Sequence, residues 1–135
     1  MLVSNEIRAP IRSDLDIVAA RQKGRELAAQ VGFSATDLTL IATAISELAR
    51  NIVVYAKEGE ILLRIDEKKD RKAITIIASD RGPGIQNVRE ALRDGFSTSG
   101  SLGLGLPGVR RLMDDFEIDT TAGRGTIVTV RKWQR

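Results

Sequence analysis

The chain has 135 residues, enough for one domain around one modest core. Apolar residues make up 42% and charged residues 29%, a globular balance, and a net charge of +3 is too small to argue by itself for nucleic acid or a membrane surface. The sequence has no cysteine, which excludes disulfides, thiolate zinc sites and thiol catalysis, and no histidine, which excludes a Ser-His pair, a histidine metal cluster and autophosphorylation on histidine. A general base must therefore be Asp, Glu or Lys. The opening MLVSNEIRAP has no apolar stretch of signal-peptide length, and no segment reads as a membrane span. The missing cysteine fits a reducing, cytoplasmic setting. Basic residues are scattered, apart from Arg131, Lys132 and Arg135, and no aromatic platform for bases accompanies them. Neither nucleic acid nor membrane is expected as a partner.

Residues 2–11 alternate weakly and suggest an edge strand. Ser13 or Asp14 has the chemistry of a helix cap, and a first helix is predicted from Leu15 to Val31, stopped by Gly32. Ser34 with Asp37 forms a near capping box for a second helix reaching about Tyr55. Its apolar face is Leu40, Ile41, Ala44, Ile45, Leu48 and Ile52, at helical spacing. EILLRID (60–66) and AITIIASD (73–80) read as two strands joined by a charged tip. A loop is expected over 85–105, with a short helix near 87–92 as an option. Pro107 suits the first turn of a third helix, Leu106 to about Asp114. The C-terminal segment reads as two strands around a turn at 122–125. No repeat, linker or low-complexity tract interrupts the chain, so 1–135 reads as a single domain. The expected fold class is an α+β two-layer sandwich: a mostly antiparallel sheet with helices on one face.

Three short stretches break these patterns. Glu47 and Asn51 lie four apart on one face of the second helix, between Ala44, Ile45, Leu48, Ala49 and Ile52. A solvated polar stripe is one reading. At a core boundary, however, a carboxylate loses water and becomes a better proton acceptor, and an amide oxygen can serve Mg²⁺ as a single neutral ligand beside phosphates and water. DRGPG (80–84) ends a strand. It is compatible with a plain tight turn, or with an Asp80 carboxylate accepting from an exocyclic amino group while glycine lets a flat ligand approach. GSLGLGLPGV (100–109) leads into a helix and reads as a flexible loop or as an anion site at a helix N-terminus. It is neither a P-loop nor a dinucleotide fingerprint.

Taken in order, ELARN, DRGPG, GLGLG and the terminal GRGT (123–126) resemble the N box, the two glycine boxes and the closing Gly-Thr of the GHKL ATP-binding superfamily. DIVAARQKGRELAAQVGF, TAISELARNIVVYA, DRGPGI, DGFSTSG and GLPGVRRLMDDFEI are similar to one branch of it, the RsbT-type serine/threonine switch kinases, whose relatives include the anti-sigma kinases RsbW and SpoIIAB. The resemblance implies a Bergerat fold with ATP held between helices and sheet under a lid over about 94–104. It implies Glu47 as catalytic base and Asn51 as Mg²⁺ ligand. It also implies Asp80 on the adenine amino group, with Gly82 and Gly84 permitting close approach and Thr126 helping to hold the base. Gly103, Gly105 and the helix start at Leu106 would meet the phosphates. The partners it implies are STAS-domain proteins of the RsbS and RsbR kind as substrates, and an RsbU-like PP2C-type phosphatase activated by the released kinase.

Alternatives of other kinds remain on the sequence. An anti-sigma kinase that sequesters a sigma factor shares all the boxes. A binding module with ATP as structural ligand would have no use for Glu47, and a histidine-kinase catalytic domain would need a separate phosphoacceptor and dimerisation helices.

Overall fold

A computed structural model describes residues 6–82, 105–121 and 123–135. The elements in order are β1 (Glu6–Ile11), α1 (Asp14–Val31), α2 (Ala35–Asn51), a π-helical turn (Ile52–Ala56), β2 (Gly59–Lys68), β3 (Arg71–Asp80), α3 (Gly105–Leu112), β4 (Asp115–Thr121) and β5 (Gly125–Trp133). The five strands form one sheet in the order β1-β2-β3-β5-β4, and every neighbouring pair is antiparallel.

Residue alternation decides which side of the sheet is buried. Cross-strand rows such as Ile61–Ala78–Val128 and Leu63–Ile76–Val130 point to the helices and are buried with Ile41, Ile45 and Leu48 of α2. The helices pack on this face, with α2 in contact with both α1 and α3. The two-layer expectation holds. Burial of such rows at roughly 25 cal/mol per Å² of apolar surface is the main stabilising term.

Local chemistry accounts for the element ends. Gly32 adopts φ 99° at the end of α1, and its N–H returns to Ala28 and Ala29. The Ser34 hydroxyl accepts from the Asp37 N–H at 3.2 Å, which fixes the start of α2. Ser13 occupies the cap position of α1 without a side-chain cap bond; the Asp16 carboxylate instead accepts from the Arg12 N–H at 2.8 Å. Lys69 and Asp70 both take positive φ at the β2–β3 tip, as a tight two-residue hairpin requires. Lys132 is buried, and its ammonium donates to the last carbonyl of α3, Leu112 O, at 2.8 Å.

Two expectations change. The second helix is α-helical only to Asn51, and its predicted last residues form the wider π turn. Ile52, Val53 and Val54 are consecutive β-branched residues, which crowd an ordinary helical turn. The span Ala35–Ala56 also has the length and mean hydropathy (1.3) to cross a bilayer, which the sequence reading did not allow. Its apolar side is spent on the protein core, where Ile41, Ala44, Ile45, Leu48 and Ile52 are buried. The short helix considered near 87–92 and the proposed lid lie outside the described residues.

The face of the sheet away from the described helices carries a polar cluster. Asp66 and Thr75 are buried there, although both stand on strand positions facing away from the helices. Arg64 donates to Asp66 at 3.0 Å, Thr75 donates to Asp66 at 2.7 Å, and Arg131 donates to Thr75 at 2.9 Å. Each buried polar group thus has a partner from a neighbouring strand.

Candidate active site

Glu47 belongs to the last full turn of α2, on the side that faces the core, and it is 6% exposed. The solvated-stripe reading therefore fails for it. Its Oε2 is buried and has no hydrogen-bond partner among the described residues. A buried carboxylate oxygen without a donor costs free energy, and native proteins keep few of them. Asn51, one turn on, is half-buried and is the last residue of α2 before the π turn. π turns recur at functional sites because they re-aim the side chains around them.

Asp80 ends β3, half-buried, with Gly59 of β2 on one side and Thr126 of β5 on the other. Asp80 Oδ1 accepts from the Gly82 N–H at 2.8 Å, so the stretch is a tight turn as well as a candidate ligand site. Thr126 is buried, and its hydroxyl meets the Thr120 hydroxyl at 2.9 Å. Gly82 lies against the π turn: a Cβ there would come within 2.6 Å of Ala56 Cβ and 2.9 Å of Ala56 Cα. Gly105 opens α3 with φ 51°, and Leu106 is buried behind it. Gly84 and Gly103 lie outside the described residues.

The structure thus brings Asp80 and Thr126 into one row and puts Glu47 and Asn51 on one helix. An open concavity of about 700 Å³ lies at the same end of the sheet, with Asp80, Thr126, Arg12, Arg81 and Arg124 among its walls. Glu47 and Asn51 do not line it; its wall includes the row Pro10, Glu60, Ser79 and Ile127, which faces away from the helices, so the concavity is not the surroundings of the α2 carboxylate. Sequence reasoning named Ile52 beside Asn51 but missed Ala56 and Gly59 as neighbours of the site. The available signal was the β-branched run directly after Asn51. No group of acidic residues able to hold a metal by itself occurs among the described residues.

Residues 11–132 match the family model for the histidine kinase-like ATPase domain. The chain is 52% identical over 125 residues to the serine/threonine-protein kinase RsbT of Bacillus subtilis, covering 93% of this chain and 94% of that one. It is 31% identical over 118 residues to the anti-sigma F factor of Caldanaerobacter subterraneus, covering 84% and 82%. Among solved structures, the RsbU and RsbW domains of Rv1364c from Mycobacterium tuberculosis align with TM-score 0.64 at 20% identity, over 98% of this chain and 33% of that one. The mycobacterial sensor histidine kinase MprB aligns with TM-score 0.57 at 14% identity, over 96% and 99%. The chain belongs to the histidine kinase-like ATPase domain family, in its RsbT-type serine/threonine kinase branch.

Proposed function

We propose that this site moves the γ-phosphoryl group of ATP to a serine or threonine hydroxyl on a STAS-domain protein of the RsbS or RsbR kind. In this reading the kinase, once released from that protein, activates an RsbU-like PP2C-type phosphatase. The observation that carries the reading is the buried Glu47 carboxylate, whose Oε2 has no donor among the described residues, one turn before Asn51. A hydroxyl entering the site is the donor that Oε2 lacks. Glu47 accepts its proton as the hydroxyl oxygen becomes the nucleophile.

The residues present fit Mg-ATP. Asp80 offers a carboxylate fixed by Gly82 for an amino group of the base, and Thr126 stands beside it on the ladder. The Asn51 amide oxygen is a hard, neutral ligand suited to Mg²⁺. Gly105 and Leu106 present a helix N-terminus to anionic groups. Bound Mg-ATP would supply the phosphoryl group and neutralise its charge. Glu47 holds the proton, and the core packing of α2 keeps Glu47 and Asn51 in fixed relation.

The name of the RsbT relative supports the substrate class, since that protein is a serine/threonine kinase. The anti-sigma F relatives favour a second reading, in which the main output is retention of a sigma factor. Incubation with γ-labelled ATP, Mg²⁺ and purified STAS domains decides between them. Label on serine or threonine of a STAS domain is the expected result. Stable retention of a sigma factor with no STAS label would favour the second reading.

A further inference from the structure

The metal end and the base end of the site meet at the π turn. Ile52, its first residue, is buried against Gly59: a Cβ on Gly59 would come within 2.8 Å of Ile52 Cγ2 and 3.1 Å of Asp80 Cβ. Ala56, its last residue, touches Gly82, two residues after Asp80. The turn is therefore seated at both ends on glycines that flank Asp80, one across the ladder and one along the chain. Ala56 follows Asn51 by five residues, the spacing of one π turn, so a shift of Ala56 is handed to the backbone of Asn51.

We propose that Gly82 is a positioning residue for the metal ligand: its missing side chain lets the π turn sit down on the end of β3, and this seat aims the Asn51 amide. The inference rests on the reading of Asn51 as the Mg²⁺ ligand. It assigns Gly82 a task apart from letting a nucleotide approach. Gly82 does not need glycine for its backbone angle, because its φ lies outside the left-handed region. The neighbour that an added methyl meets most closely is Ala56, including its backbone Cα, which cannot rotate away. Asp80 Oδ1 is farther, at 3.2 Å, and belongs to a side chain that can turn slightly.

The test is a set of Mg²⁺ titrations of the full chain with a non-hydrolysable adenine nucleotide, read by calorimetry, alongside nucleotide affinity without metal. Gly82→Ala should weaken apparent Mg²⁺ affinity by about 10–100-fold, the usual effect of disturbing a residue behind a metal ligand. The control on nucleotide affinity without metal is the Ala56→Val variant, which leaves Gly82 in place and should change that affinity much less. Adding Ala56→Gly should restore part of the loss, because it removes the methyl at 2.6 Å while the backbone Cα at 2.9 Å stays. Ala56→Val, which leaves Gly82 in place and crowds the same contact from the other side, should reproduce the loss, so the proposal does not depend on Gly82→Ala folding well. If Gly82→Ala and Ala56→Val bind Mg²⁺ like wild type, or if Ala56→Gly gives no rescue, the positioning role is overturned. Asn51→Ala runs as a separate arm. Wild-type Mg²⁺ dependence in that variant would overturn the metal assignment itself, and the seat's role with it.

Discussion

Asp80 and Thr126 pair directly across the β3–β5 ladder, two residues beyond the core pair Ala78–Val128 and on the same face of the sheet. Each polar group is already fixed by a neighbour, Asp80 by the Gly82 N–H and Thr126 by the Thr120 hydroxyl. A ligand reaching this row meets groups whose orientation is settled before it arrives, which lowers the entropic cost of binding.

Asp80→Asn should therefore lower affinity for adenine nucleotides and blunt the preference for adenine over guanine. A carboxylate only accepts, which suits the adenine amino group, whereas guanine places an oxo group at the corresponding position. An asparagine amide can turn to serve either. Loss of a matched buried partner costs discrimination. A nucleotide titration with both bases checks this, and undiminished selectivity would remove Asp80 from base recognition.

Glu47 combines two costs that can be separated. As a general base it should be worth about 10²–10⁴ in rate, so Glu47→Gln should nearly abolish transfer while nucleotide affinity stays close to wild type. As a buried carboxylate with an unpaired oxygen it should cost stability, and Glu47→Met should raise unfolding free energy by about 1–2 kcal/mol. Urea denaturation and phosphotransfer on the same variants give both numbers. A Met variant that is less stable than wild type would mean that the carboxylate is well accommodated after all.

Asn51→Ala should leave the fold intact, because the residue is half-buried at a helix end and contributes little to the apolar core. Mg²⁺-dependent nucleotide binding should fall, with metal-free binding nearly unchanged. Equal affinity for Mg-ATP in variant and wild type would show that the amide is not a ligand.

Much of this arrangement is legible in the sequence because it is local. Ser34 with Asp37 marks the start of α2, and Glu47 and Asn51 interrupt a helical apolar period, so they stand out by position alone. The β2–β3 hairpin is spelled by alternation around a charged tip. What is not legible depends on contacts between distant segments. β5 pairs with β3 although α3 and β4 lie between them in the chain, and no local signal encodes that choice. The β-branched run hints at the π turn, but its contacts with Gly59 and Gly82 join segments that meet only once the sheet has formed. Asp66 reads as the end of a strand, and its partners Thr75 and Arg131 come from two other strands.

The Asp66 cluster yields a stability prediction independent of the active site. Asp66 accepts from Arg64 and Thr75 and lies 3.7 Å from Arg131, with 5% of its side chain exposed against 25% and 27% for the two arginines. Asp66→Ala should destabilise the fold by about 1–3 kcal/mol, below the full cost of orphaning a buried charge because both guanidiniums keep some contact with water. Phosphotransfer per folded molecule should be unchanged. A denaturation midpoint equal to wild type would show that the cluster contributes nothing net.

The final prediction concerns how so small a kinase chooses its protein substrate. Specificity through a docked protein surface makes a checkable claim about the exposed basic residues of the helices. Arg21, Lys23 and Arg25 are exposed along α1, and Arg110 and Arg111 are exposed on α3. Solvated charges of this kind are ordinary on a helix, so exposure alone does not make them a docking site. If the partner is a STAS domain with an acidic face, Arg21 and its neighbours would steer its approach. Steering raises association rates more than it lowers dissociation rates, and salt screens it over about 8–10 Å at physiological ionic strength. Arg21→Glu should then slow association with the STAS protein, leave ATP affinity untouched, and reduce the salt dependence seen with wild type. Association kinetics at two ionic strengths, with nucleotide affinity measured in parallel, provide the check. An Arg21→Glu variant that associates as fast as wild type would move the docking surface away from α1.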